Sequence, residues 1–565
     1  MSILGIDLGT TNSLIAYYTD DEARIIPNRL GENLTPSVVS LDDGGEIYVG
    51  RIAAERLVTH PQMTASAFKR NMGSEKKFML GGKSFLPEEL SSFVVRSLLE
   101  DAEVYLGSRP EEVVISVPAY FNDMQRKATK RAGELAGVKV ERLINEPTAA
   151  AIAYGLRENS NSTFLIIDLG GGTFDVSILE LSGNIMEVRG VAGDNYLGGE
   201  DFTDALGAMF IQECGLDADN FSLKDFAMVH SQAELCKRNI QGTDILMKCK
   251  IDGKERAATI SKTDYEDACA PLLARLRRPI ERALGDATAK LSDIDDIIMV
   301  GGATKQQLVK RFIGKLFKKF PSANINPEEV VALGAAIQAA LKERNALIGE
   351  IVLTDVCPYT LGTNISIIRD DGRVESGHYL PIIERNTVIP ASRTERLWTL
   401  HDNQRNVTVE VLQGESRFAG NNITLGQINI PIPPAPKGSE CVDVRYTYDI
   451  NGILEVDVDV VSTGLKKRMV LEQNPGYMSG EEVERRLKEL EKIKIHPREQ
   501  EKNKLLLSRA ERMYEENIGD VRRHVGECLQ SFEDALDRQD PQRAKQAAEL
   551  LKKELDAIEN DLLFD

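Results

Sequence analysis

At about 150 residues per domain, the 565-residue chain has room for three or four domains. Its 42% apolar and 28% charged residues are ordinary for a soluble protein, which excludes wholesale disorder and collagen-like repeats. A net charge of −19 repels phosphate backbones, so neither a nucleic-acid nor an anionic-membrane partner is expected, and an anionic ligand must be held locally by backbone amides, a few cations or a metal.

The amino end, Met1 to Asp7, has no basic stretch followed by an apolar core, so no secretory signal is expected. Residues 1 to about 348 alternate β-branched runs (Val113–Val117, Phe164–Ile167, Ile297–Val300) with longer helical patterns. One helix begins at Pro87 and places Leu90, Val94, Leu98, Ala102 and Tyr105 on one face. Another runs from Asn122 to a Gly137 terminator, and a third is opened by Asn326-Pro327-Glu328-Glu329. Strands between helices imply an α/β architecture with parallel sheet. The apolar run Val330–Leu341, interrupted by Gln338, falls far short of the ~20 residues a spanning helix needs.

From about Ile351 to Leu471 the period becomes two, an antiparallel β module. Val407 to Val411 alternates, and Val442, Val444, Tyr446 and Tyr448 lead through Asn451-Gly452, a hairpin signal, to Leu454, Val456, Val458 and Val460. Pro431 to Pro436 forms a stiff loop. After Ser479 the chain is charged and helical, with a stripe of Val483, Leu487 and Leu490 and breaks at Pro497 and Pro541. Alone, such a tail reads as a solvated bundle. Seven cysteines without a CxxC pair, and six histidines without HExxH, disfavour a disulfide scaffold, a structural zinc and a zinc protease. The expectation is reduced, mostly buried thiols in a cytoplasmic protein.

One internal echo carries chemistry. Ile6-Asp7-Leu8-Gly9-Thr10-Thr11 recurs 161 residues later as Ile167-Asp168-Leu169-Gly170-Gly171-Gly172-Thr173, which suggests two similar lobes facing each other across a cleft. In each copy a strand ends in Asp and turns through Gly and Thr. Backbone N–H groups in such turns converge on phosphate oxygens, Thr adds donors, and Asp can hold magnesium through its waters. Either copy alone is a common turn; both at strand ends, with Gly301-Gly302 after a third strand, point to a polyphosphate. No P-loop and no helix-opening GxGxxG is present.

These residues, with Val117-Pro118-Ala119-Tyr120-Phe121-Asn122-Asp123, Asn145-Glu146-Pro147-Thr148, Asp168 to Asp175, Leu197-Gly198-Gly199-Glu200-Asp201 and Val300 to Thr304, resemble the signatures of heat-shock protein 70 (DnaK-type) chaperones over nearly the whole chain. The reduced stretch between Lys69 and Glu146 and the missing tail are most similar to the HscC-like bacterial branch. The resemblance implies a multidomain chain: an α/β actin-like (ribonuclease H-like) two-lobed ATPase domain (1–348), an interdomain linker (349–356), an antiparallel β-sandwich that binds substrate (357–478) and an α-helical lid (479–565).

The resemblance also implies residue roles. Thr10, Thr11, Gly170, Gly171, Gly172, Gly198, Gly199, Gly301 and Gly302 would line the phosphates of ATP or ADP, with Asp7 and Asp168 holding Mg²⁺ through water; K⁺ is a further candidate ion. Lys69, Glu146, Asp168, Thr173 and Asp175 would be catalytic, acting by positioning and charge neutralisation. Read alone, Lys69 is a solvated surface charge and Glu146 a helix-start carboxylate. Glu234, Lys237 and Arg238 match the base and ribose site, where Gln241 replaces the usual Ser and Lys305 replaces an Arg that stacks on adenine; lysine lacks the planar face, so weaker nucleotide binding and faster exchange are expected.

For coupling, Ile351, Val352, Leu353 and Asp355 match the linker; Arg142, Asn145 and Asp355 match the contact with a J-domain co-chaperone; Pro118 and Arg126 match a relay of nucleotide state. Alone, Glu350–Asp355 is an ordinary short strand. Leu397, Leu400, Val407 and Val409 match positions that hold extended, unfolded clients, and otherwise read as sandwich core. The charged segment Thr363–Glu375 stands where an arch wall is expected, and the shortened first lobe puts the usual exchange-factor surface in doubt. The implied function is ATP-dependent chaperoning. The competing classes are a sugar or acetate kinase, a filament-forming actin relative, and a regulatory relative that binds nucleotide without turnover.

Overall fold

In a computed structural model, the chain is described from Ile3 to Phe564 apart from residues 20–21, 156–161, 183–184, 241–243, 322–324, 343–351, 370–372, 449–452, 473–500, 518 and 540. It divides into two units, Met1–Pro358 and Tyr359–Asp565.

The first unit contains two sheets of matching design. In one, β1 (Leu4–Leu8), β2 (Asn12–Thr19) and β3 (Glu22–Ile26) form an antiparallel meander, and β1 also pairs in parallel with β4 (Glu112–Val117), which pairs in parallel with β5 (Lys139–Asn145). In the other, β6 (Ser162–Leu169), β7 (Phe174–Ser182) and β8 (Ile185–Asp194) repeat the meander, and β6 pairs in parallel with β9 (Asp296–Val300). The echo therefore recurs as topology: each copy lies at the turn between the first two strands of a meander. A further strand, β10 (Val352–Val356), adds in parallel to β8 through Ile185↔Val352, Met186↔Leu353 and Glu187↔Thr354.

Helices cover these sheets as their periodicity requires. Helix α1 (Pro87–Leu106) starts on proline and stops at Gly107, whose φ of 75° suits glycine. Leu90, Val94, Leu98 and Ala102 are buried in the first sheet's core. Tyr105 departs from the expected face: it is exposed and meets Tyr17 edge-on, with ring centroids 5.8 Å apart, because the helix ends one residue later. Asn122 caps α2 (Asp123–Leu135), its side chain accepting the Gln125 N–H at 3.0 Å. Then follow α3 (Glu146–Gly155), α4 (Gly199–Glu213), α5 (Leu223–Arg238), α6 (Lys262–Asp286) and α7 (Val330–Lys342). The helix expected from Asn326 begins at Val330, after a turn in which Asn326 O accepts the N–H groups of Glu329 and Val330. Gly334 of α7 lies so close to α3 that a Cβ there would sit 1.8 Å from Ala149 O; only glycine fits.

The second unit is a sandwich of two four-stranded antiparallel sheets plus helices. One sheet orders β11 (Leu361–Ile368), β12 (Val374–Ile383), β14 (Asn406–Gln413) and β15 (Ile423–Pro431) as β12-β11-β14-β15. The other orders β13 (Ala391–Trp398), β16 (Cys441–Tyr448), β17 (Ile453–Val460) and β18 (Lys466–Glu472) as β13-β16-β17-β18. Tyr448 pairs with Leu454, so the two strands form the expected hairpin, though Asn451-Gly452 lies outside the described residues. Arg369 and Glu375 pair across the β11–β12 hairpin. Helices α8 (Glu501–Glu516), α9 (Gly519–Asp537) and α10 (Pro541–Phe564) share a core of Ala510, Met513, Val525, Phe532, Leu536, Ala544, Leu551 and Leu555. Ser479, Val483, Leu487, Leu490 and Pro497 lie outside the described residues. All seven cysteines are free thiols, and among the described residues no helix is long and apolar enough to cross a membrane.

Candidate functional site

The two echo turns converge on one cavity of about 940 Å³ in the first unit. They approach so closely that a Cβ on Gly171 would lie 1.8 Å from Thr11 Oγ1, and one on Gly172 would lie 2.9 Å from Thr10 Cγ2. Glycine is therefore required where the turns face each other. The second turn is braced by α4, whose first N–H groups bond back to it: Gly199 N to Gly170 O and Glu200 N to Gly171 O, both 2.9 Å. Gly301, at φ 84°, continues the floor; a side chain there would strike Leu169 O. Two glycine-rich turns that carry threonines and line one cavity make a candidate anion site.

Its acidic part lies where β1 and β6 end. Asp7 accepts the Ser116 hydroxyl at 2.7 Å, and Asp168 is paired in register with Asp175 on β7. Burial, then the charge of Glu146, pushes Asp7 up to about 7 and Asp175 up to about 8. Burial and the neighbouring Glu146, Asp175 and Asp7 also push Asp168 well above the carboxylate range. Lys69 is the cation inside this cluster. It donates to Glu146 Oε1 at 2.8 Å, lies over the Phe121 ring and is 3% exposed. Asp175 Oδ1 accepts the Tyr120 N–H at 3.2 Å, while its Oδ2, buried, has no protein partner among the described residues. Such a set suits a hydrated divalent cation: the buried Glu146, Asp168 and Asp175 and the half-buried Asp7 outnumber the Lys69 ammonium and the Arg126 guanidinium that acts on Asp175, which leaves negative charge uncompensated. Among the described residues no three His, Cys, Asp or Glu groups could hold a metal ion between them, so a cation would keep its waters.

This electrostatic arrangement has a sign that can be tested. Unfolded carboxylates titrate near 4. Raised values of about 7 and about 8 mean that these groups favour the fold fully below about pH 4, and that this contribution is lost as pH rises through 7 to 8. A cation binds only the ionised form. The gain in melting temperature on adding Mg²⁺ is therefore expected to grow between about pH 6 and pH 8.5; differential scanning fluorimetry reads it, and a gain that shrinks over that range would overturn the reading of this cluster as a cation site.

At the other end of the cavity Glu234 joins Lys237 at 2.5 Å and Arg238 at 2.6 Å. Burial alone would raise the Glu234 carboxyl, but these cations and the Thr203 hydroxyl hold it at about 2. Lys237 lines the cavity, yet its ammonium is engaged by Gly199 O, Thr203 Oγ1 and Glu234, so it fixes the start of α4. Lys305 also lines the cavity and pairs with Glu328. Gln241 lies outside the described residues. Charged side chains that the motifs did not mark also join the lining, among them Lys262 and Glu266, whose i,i+4 spacing on α6 puts them on one face, and Arg311. Arg70, also unmarked, ties the first lobe to the second turn, donating to Gly172 O at 3.2 Å and to Asp201 Oδ2 at 2.6 Å.

Behind the cavity, Arg126 donates to Ala119 O, to Phe121 O and, at 2.7 Å, to Asn145 Oδ1, and so clamps the segment after the buried Pro118 beside the residue preceding Glu146. Arg142 is half-buried on β5. Ile351 lies outside the described residues, and Val352, Leu353 and Asp355 contribute the backbone of β10. In the second unit Leu397, Leu400 and Val407 are half-buried, whereas Val409 is fully buried, in the sandwich interior rather than on an open lining. A family model described as "Hsp70 protein" matches the chain over residues 3–80 and 75–563.

Proposed function

The chain belongs to the Hsp70 family, and on that premise we propose that it is an ATP-hydrolysing chaperone that couples nucleotide state to the binding and release of extended apolar segments of unfolded proteins. Family membership supports chaperone function, ATPase activity and the use of ATP or ADP with Mg²⁺. The observation that carries the finer reading is the meeting of both glycine-threonine turns over a buried Lys69–Glu146 pair.

In this reading Thr10, Thr11 and the turn amides bind phosphate oxygens. Asp7 and Asp168 would hold the Mg²⁺ through water, and that ion supplies charge neutralisation at the phosphates. Lys69 orients the attacking water, and Glu146, held by Lys69, fixes its direction together with Asp175. Thr173 donates to the terminal phosphate. The residues thus position and neutralise, which is what phosphoryl transfer to water needs. We further assign the chain to the HscC-like branch, to the cytoplasm and to partnership with a J-domain protein, on the short stretch from Lys69 to Glu146 and the residues Arg142, Asn145 and Asp355. K⁺ as a second ion is part of the same proposal.

Steady-state ATP turnover with and without an unfolded polypeptide tests the proposal. Stimulation by the polypeptide is expected. Turnover that requires a sugar instead would make the chain a kinase, and nucleotide binding without turnover would make it a regulatory relative.

A further inference from the structure

Strand β13 ends its sheet. It pairs on one side with β16, Thr394 opposite Arg445, and among the described residues no strand pairs with its other edge. An open edge offers unpaired N–H and C=O groups to any extended chain. On this one sits a residue of the helical tail. Gln539, in the turn between α9 and α10, accepts the Thr394 N–H at Oε1 (3.1 Å) and donates from Nε2 to Thr394 O (3.2 Å). The Arg393 guanidinium donates to Gln539 O and, at 3.0 Å, to Ser392 O on its own strand.

In an antiparallel ladder two opposed residues exchange one N–H···O bond in each direction. The Gln539 amide makes that same exchange with Thr394 from a side chain. Its backbone sits at φ 54°, a left-handed conformation that glutamine seldom adopts, so the turn presents the amide from an unfavourable geometry. The edge thus holds, in place, a group with the donor and acceptor pattern of a peptide bond.

We propose that the free edge of β13 is a strand-pairing site that takes an extended polypeptide segment through main-chain hydrogen bonds at Thr394, and that Gln539 occupies it as an intramolecular stand-in. The site centres on Thr394 rather than on the half-buried Leu397, Leu400 and Val407, and it stands whether or not the chain is a chaperone. Its occupant is recognised by backbone rather than by side chain, so sequence selectivity is low and an extended conformation is the requirement.

The test uses the full-length protein and a blocked heptapeptide of alternating Val and Thr. Gln539→Ala should raise amide exchange at Thr394 by about tenfold or more, and should raise the number of peptide equivalents bound in calorimetry by one over the wild type. Adding Thr394→Pro removes an outward-facing N–H, which an edge strand tolerates, and should abolish that extra equivalent alone; thermal melts check that both variants fold. Unchanged stoichiometry in Gln539→Ala overturns the proposal, as does an extra equivalent that survives Thr394→Pro. A peptide-free dimer of Gln539→Ala in light scattering would assign the edge to a second copy of the chain and also overturn it.

Discussion

Replacing Lys69 with alanine is expected to lower the rate of ATP cleavage in a single turnover by about 10²–10³-fold, the range seen when one preorganised stabilising donor is removed from a water-excluded site. The reason is its position. Lys69 is the ammonium that opposes Glu146, Asp7, Asp168 and Asp175, and its charge lowers the values of all three aspartates. Without it Glu146 loses its 2.8 Å partner, and in the proposed mechanism the water loses a fixed donor. Breaking a buried pair usually costs about 3–5 kcal/mol, so a melting curve must accompany the kinetics. Added Mg²⁺-nucleotide replaces part of the lost charge, and its affinity should change less than the rate does. Lys69→Arg keeps the charge on a longer, planar head and should not restore the rate. The Lys69→Ala, Glu146→Gln cycle then separates roles. Two residues working as one unit give a double variant no slower than the worse single one. A folded Lys69→Ala variant that keeps the rate within threefold would make Lys69 a structural cation.

The cavity's glycine-threonine end was legible because its signal is local. Asp-Leu-Gly-Thr and Asp-Leu-Gly-Gly-Gly-Thr are contiguous, so a reader of sequence meets donor, hinge and acid together. The end around Glu234 was not. Lys262, Glu266 and Arg311 are ordinary surface types on helices, and only long-range packing brings them to the cavity. Lys237 illustrates a second limit: a motif can assign it to the ligand, but not show that Gly199 O, Thr203 and Glu234 take up its ammonium. Strand alternation located the sandwich but could not tell the interior Val409 from the half-buried Val407, two residues away on the same face. Gln539 carried no signal at all, being one glutamine in a charged tail.

The apolar run at Val352–Val356 was legible as a strand, but its partner was not, since parallel pairing leaves no local mark. That partner, β8, makes the sharpest test of coupling. The β8 bonds of β10 belong to the first unit, and at Tyr359, three residues after Val356, the chain enters the second. In a parallel ladder successive residues face alternate sides, so substituting both Leu353 and Thr354 by proline removes at least one N–H from the β8 side whichever faces it. Peptide affinity without nucleotide should stay at the wild-type value, because both substitutions lie in the first unit. The drop in peptide affinity caused by ATP, which for coupled sites is typically 5–150-fold, should fall to near unity. Linkage is reciprocal, so the change in ATP affinity caused by peptide must vanish with it. Fluorescence anisotropy of a labelled peptide and calorimetry of nucleotide binding measure the two sides independently. If the proline variant still loosens its peptide on ATP by the wild-type factor, the signal does not pass through β10; if the wild type itself shows no such factor, it is the chaperone assignment that fails.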